Sequence, residues 1–168
     1  MKKRIRKILS IVVCLLVLAL IVYLRWPVPL EKVIGAAPAS VYDLTAYTTL
    51  SGVENGEAYI YTTLLPYQRQ EKNEAHLTAV MDLLDGTKYR PSLRNLLPWP
   101  QYIENLNDYD GTCVWVQLII GEDSRHLVFY GKYFGIENDR GGFTLYRSTD
   151  NTVRQQLLDY IAQHGVTE

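Results

Sequence analysis

The run NDYDGT, residues 107–112, sets two carboxylates, a glycine and a hydroxyl in a spacing that resembles part of a calcium-binding loop. Register defeats that reading. With Gly111 as the loop's glycine, the first ligand position falls on Leu106 and the bidentate position on Gln117, and neither is a carboxylate. Asp and Gly have turn chemistry of their own, so a turn is expected here. Cys113 with His76 or His126 would supply a thiol nucleophile and its base, but no cysteine-enzyme motif surrounds Cys113. It stands in the apolar string TCVWVQLII, where a thiol behaves as a small buried hydrophobe. His126 beside Arg125 is expected in solvent, and His76, next to Leu77, at a boundary. The three histidines have no metal-ligand spacing, so no metal site is expected. The carboxylate pairs Glu122/Asp123 and Asp108/Asp110 fall in surface turns, where solvent leaves them ordinary acids. GxSxG, SxxK, HExxH, phosphate-loop and dinucleotide patterns are all missing, and Gly141-Gly142 after Asn138 reads as hairpin chemistry, so no cofactor is expected.

The least ordinary segment is KYRPSLRNLLPWP, Lys88 to Pro100. Lys88, Arg90 and Arg94 gather positive charge beside Tyr89 and Trp99, whose rings could stack on a sugar or anchor a partner. These five residues are the candidate binding site. The competing expectation is that Leu93, Leu96, Leu97 and Trp99 plug the gap between helix and sheet while the basic side chains balance nearby acids. The prolines exclude a long regular element and leave room for one helical turn between Ser92 and Leu96.

What must hold this site begins with residues 1–26. Lys2, Lys3, Arg4, Arg6 and Lys7 precede an uncharged run from Ile8 to Leu24. As a helix that run is roughly 25 Å long, slightly short of the roughly 30 Å hydrocarbon core, and Tyr23, Arg25 and Trp26 suit the interface beyond it. The first plausible pair of small residues for signal cleavage, Ala37 and Ala39, lies well beyond Leu24, so an uncleaved anchor is expected. The basic tip places the N terminus in the cytoplasm and the rest outside, as a single-pass protein of the cytoplasmic membrane. Cys14, inside the apolar run, is expected to face lipid. No Gly, Ala, Ser or Thr pair recurs four residues apart there to favour packing against another helix.

Beyond the anchor, 11 basic residues face all 18 acidic ones, a net charge of −7, which argues against nucleic acid as a partner. Cys113 is the only cysteine outside the anchor, so no internal disulfide can form. Thirteen tyrosines against three phenylalanines suit strands with one wet face. Residues 27–39, with prolines near both ends, read as a linker, and 40–168 as one extracytoplasmic domain. Residues 40–50 and 58–65 form a predicted hairpin around the turn SGVENGE, ended by Pro66. A predicted helix over 70–84 carries Leu77, Val80, Met81 and Leu84 on one face, with Gly86 at its end. Tyr102 and Ile103 open a short strand. Residues 112–120 form the strongest strand, followed by HLVFYG, KYFGI and FTLYR in a meander. A helix over 152–163 closes the chain, with Thr152 and Gln155 as a capping box and Gly165 as exit. The expected fold class is α+β: an antiparallel sheet, hairpin plus meander, covered by two amphipathic helices and preceded by one transmembrane helix.

The strings AVMDLLDGTKYRPSL, VWVQLII, HLVFYGKYFGI and TVRQQLLDYI resemble small membrane-anchored or lipoprotein-like domains of Gram-positive bacteria. The resemblance covers most of the external domain as a pattern and implies a cell-envelope location and an α+β domain, with no catalytic residue carried over. The functional expectation is a membrane-tethered, non-catalytic binding or regulatory domain with an envelope protein or glycan as partner. The alternatives are an envelope hydrolase or transferase whose site is assembled from dispersed residues, and a structural subunit of a membrane complex.

Overall fold

Helix α1 spans Lys2–Arg25 and is long and apolar enough to cross a membrane, with its apolar side chains exposed along its length. The computed structural model describes residues 2–65, 74–102, 111–149 and 152–167. Just past α1, Val28 pairs with Tyr89 through two backbone bonds, Val28 N–H to Tyr89 O at 2.7 Å and Tyr89 N–H to Val28 O at 2.9 Å. Helix α2, Leu30–Ile34, follows at once and ends at Gly35, whose φ of 73° gives the left-handed exit. Leu30 and Ile34 are 0% and 2% exposed, and Val33 is buried with them. Within the segment 27–39, expected as a linker, residues 28–34 are therefore packed onto the domain. Leu30, Val33 and Ile34 fall at i, i+3 and i+4, a short apolar face that the flanking prolines masked in the sequence.

Strands β1, Val41–Glu54, and β2, Glu57–Leu64, form the hairpin, but its turn is only Asn55-Gly56. Both residues have positive φ, 54° and 86°, as a two-residue turn matched to strand twist requires. The rest of the expected loop is paired strand, Ser51 with Ile60 and Val53 with Ala58. Helix α3 spans Glu74–Asp85 and closes with Gly86 N–H on Asp82 O, while Pro66 and the predicted helical residues 70–73 lie outside the described residues. Tyr89–Pro91 form the short strand β3 in what was expected as an irregular connector, and Leu93–Leu96 make the expected helical turn, capped by Ser92 Oγ accepting from Arg94 N–H.

Strands β4 Thr112–Ile120, β5 Asp123–Tyr130, β6 Tyr133–Glu137 and β7 Phe143–Ser148 are the meander. Ile103, Asp108 and Asp110 lie outside the described residues, and Tyr102 is not in a strand. Helix α4, Val153–His164, buries Val153, Leu157 and Ile161, and its exit is Gly165, N–H to Ile161 O at 2.7 Å. The capping box does not form: Thr152 makes no side-chain cap, and Gln155 turns to Asp159. Strand β8, Val166–Thr167, completes one antiparallel sheet in the order β3-β7-β6-β5-β4-β1-β2-β8.

The α+β architecture is thus the one expected, with α2 joining α3 and α4 on one sheet face. Leu30, Ile34, Val80, Leu84, Val116, Leu127, Phe134, Leu157 and Ile161 are among the core residues between those helices and the sheet. The other face is not simply wet. Cys113, Val128, Tyr130, Tyr133 and Leu145 form a second buried cluster there, flanked by Trp115 and Phe143, so the central strands bury both faces.

Candidate functional site

The connector after β3 is held against the edge of β7 by a side chain that imitates a strand. The Asn95 amide accepts from Leu145 N–H and donates to Leu145 O, both at 2.8 Å, while Ser92 N–H also reaches Leu145 O at 2.9 Å. Further on, Phe143 N–H donates to Gln101 O at 2.8 Å. These bonds continue the β3–β7 ladder with irregular chain and satisfy backbone groups that a bare edge would leave open. They also turn the connector's leucines outward. Leu93, Leu96, Leu97 and Trp99 are exposed, so the expectation that they fill the gap between helix and sheet is overturned.

On one side of this connector lies a cleft of about 570 Å³ whose wall carries Arg25, Arg90, Arg94, Lys132 and Arg147. Leu24, Leu93, Tyr133, Ser92, Ser148 and Thr149 complete much of the lining, and among the described residues no carboxylate lines it. Arg90 and Arg147 are directly opposite each other in the β3–β7 pairing. Among the described residues none of the four arginines forms an ion pair with a carboxylate. The Arg147 guanidinium sits 5.1 Å from the Tyr133 ring centroid and donates to its hydroxyl at 3.2 Å, and Lys132 Nζ lies 5.6 Å from the same ring. Arg147 is thereby oriented by an aromatic platform.

Of the five candidates from sequence, the fold brings Arg90 and Arg94 together in this cleft. Tyr89 is not at the surface: it is fully buried, its hydroxyl donating to Leu84 O at 2.8 Å and its ring 4.8 Å from that of Phe134. Lys88 is exposed but does not line the cleft. Trp99 lines a neighbouring cleft of about 230 Å³ with Arg94, Asn138, Asp139 and Arg140. Sequence reasoning missed Lys132 and Arg147, and it read Arg25 only as an interfacial residue. The one signal for Arg147 was alternation, since Leu145 and Arg147 share a face of β7.

The other reactive groups stand apart from the cleft. Cys113 is buried, and His126 pairs with Gln117, four residues along β4, or roughly 13 Å from the thiol. Ser124 Oγ lies 3.3 Å from His126 Nε2, and His126 Nδ1 lies 3.9 Å from Glu137 Oε2, an order that mimics nucleophile, base and acid. His126 and Glu137 are each about half exposed, and the second distance exceeds a hydrogen bond, so solvent competes for both groups. Between α3 and α4, His76 Nδ1 is 2.7 Å from the Tyr160 hydroxyl. Burial, then the nearby His164, holds the His76 imidazole below its usual range, and burial raises the Tyr160 phenol. Neutral His76 and the protonated Tyr160 phenol thus share one hydrogen bond, whose direction follows the imidazole tautomer.

Comparison of the chain with protein-family models, with curated proteins and with solved structures gives no match. Among the described residues no group of three or more His, Cys, Asp or Glu is placed to hold a metal ion.

Proposed function

We propose that the chain is a membrane-tethered, non-catalytic binding domain, anchored by α1 with its basic tip in the cytoplasm and displaying the α+β domain on the outer face of the membrane. The observation that carries this reading is the cleft: a domain with excess negative charge gathers five cations into one concavity at the end of its apolar helix. Such a concavity recognises an anion, and the exposed Trp99 and leucines beside it supply contact area for an envelope partner. Crosslinking in native membranes, followed by intact-mass measurement and identification of adducts, tests this. The expected product retains residues 1–26 and carries a reproducible adduct that Arg94→Ala and Trp99→Ala diminish. A shortened chain without adducts refutes it.

A hydrolase reading has one specific observation in its favour, the Ser124–His126–Glu137 alignment. Labelling of Ser124 by a fluorophosphonate, abolished in His126→Ala, would establish it. No labelling disposes of it.

A further inference from the structure

We propose that the five-cation cleft is a receptor for the headgroup phosphate of anionic phospholipids in the leaflet where α1 ends. This deepens, and rests on, the reading of the chain as a membrane-tethered binding domain.

Position comes first. Leu24 and Arg25, the last residues of α1, are themselves part of the cleft wall. Only Trp26 and Pro27 separate Arg25 from Val28, whose two backbone bonds fix it to Tyr89, and Arg90 is the next residue. The cleft therefore has no freedom to move away from the end of the helix. If α1 spans a bilayer, its last turn lies where hydrocarbon gives way to headgroups. Trp26, 68% exposed, and Leu93, 58% exposed, then meet the interface beside the cations.

Chemistry comes second. Four of the five cations are arginines, whose planar forks suit the paired oxygens of a phosphodiester better than a point charge does. Arg90 and Arg147 face each other across neighbouring strands, an arrangement that destabilises an empty sheet and is relieved by an anion between them. Arg147 is already aimed by Tyr133. The hydroxyls of Ser148 and Thr149 offer further donors for phosphate or glycerol oxygens, and Leu24 and Leu93 give the apolar side that a glycerol–acyl junction needs and a free ion does not. The volume of about 570 Å³ lies within the span of ordinary ligand sites.

The test uses the full-length chain purified in a non-ionic detergent, mixed with phosphatidylglycerol or phosphatidylcholine and read by native mass spectrometry. Phosphatidylglycerol should be retained in preference to phosphatidylcholine. The double variant Arg90→Gln/Arg94→Gln should weaken that retention roughly 30-fold, about fivefold per charge removed at an anionic surface. Arg140→Gln, in the neighbouring cleft, should leave it unchanged. Because Arg90→Gln alters a sheet position, Lys132→Gln in the β5–β6 turn gives an independent reading, with an expected loss of about fivefold. Equal retention of the two lipids, or retention untouched by the variants, overturns the proposal. Displacement by glycerol phosphate or inorganic phosphate at the lipid's own concentration overturns the lipid as the source of the phosphate. If lipid selectivity is missing while a crosslinked protein adduct is lost in the same variants, the lipid inference falls and the binding-domain reading stands. If neither responds, both fall.

Discussion

Truncation of Leu30 to alanine separates a linker from a structural element. Leu30 is 0% exposed in a cluster that includes Leu84, Val116 and Leu157, and Ile34 one turn on is 2% exposed. Removing a fully buried leucine side chain forfeits its transfer free energy and leaves a cavity, together about 2–5 kcal/mol. Domains of this kind are stable by about 5–15 kcal/mol, so the loss is a large fraction of the whole. With a urea dependence of about 1–3 kcal/mol per molar, the unfolding midpoint should fall by at least roughly 0.7 M. The assay is urea unfolding of the full-length chain in non-ionic detergent, followed by tryptophan fluorescence, since half-buried Trp115 reports on the sheet. Val53→Ala, at a position 72% exposed on the hairpin arm, is the reference and should shift stability by less than about 0.5 kcal/mol. A Leu30→Ala midpoint equal to that reference would mean that α2 is not packed on the sheet. The tether of the cleft to α1 would then rest on the two Val28–Tyr89 backbone bonds alone.

Three further outcomes follow from local geometry. His76 is held below its ordinary value of 6.5, so as pH falls the unfolded chain takes up a proton before the folded one. The associated stability is complete above about pH 6.5 and declines below it; melting temperatures at about pH 7.5 and about pH 5.5 should differ less in His76→Gln than in the parent, and equal differences would refute the assignment. Gly56→Ala, which forces a side chain onto φ of 86°, should cost about 1–2 kcal/mol in thermal unfolding, and a neutral result would argue against the two-residue turn. Asn95→Ala strands the Leu145 N–H at a fully buried residue and should cost about 1–3 kcal/mol, with faster proteolysis between Ser92 and Gln101; unchanged protection would show that the amide does not hold the connector.

Period and turn chemistry made the elements legible. The alternation of Val114, Val116 and Leu118 gave β4, and Val153, Leu157 and Ile161 gave α4, because each pattern reports burial directly. The failures have physical causes. Asn55-Gly56 suffices to reverse a hairpin, so the surrounding polar residues are free to pair, and polarity alone misled. Residues 30–34 present too few turns to register as periodic. Tyr89 sits next to two charges in sequence, yet alternation sends it to the core and Arg90 to the surface. The cleft was only half visible, because Lys132 and Arg147 reach it through strand order and Arg25 through the Val28–Tyr89 bridge, neither of which a local window contains.

Strand register also bears on why two arginines oppose one another. Pairing Tyr89 with Ser148 and Arg90 with Arg147 sends Tyr89 into the helix-side core with Phe134, and Tyr146 packs against that core. A slip of one residue would turn Arg90 or Arg147 inward, so the core specifies this register strongly and places both positions on the opposite face. It does not specify arginine. Any neutral polar residue would satisfy the register without setting like charges across a strand pair, and a glutamate at either position would make the pair attractive. Folding therefore accounts for where Arg90 and Arg147 point and leaves their charge unexplained. Three more cations from α1, the connector and the β5–β6 turn converge on the same concavity in a domain that is acidic elsewhere. An anion bound between them accounts for the like-charged pair and for that convergence together.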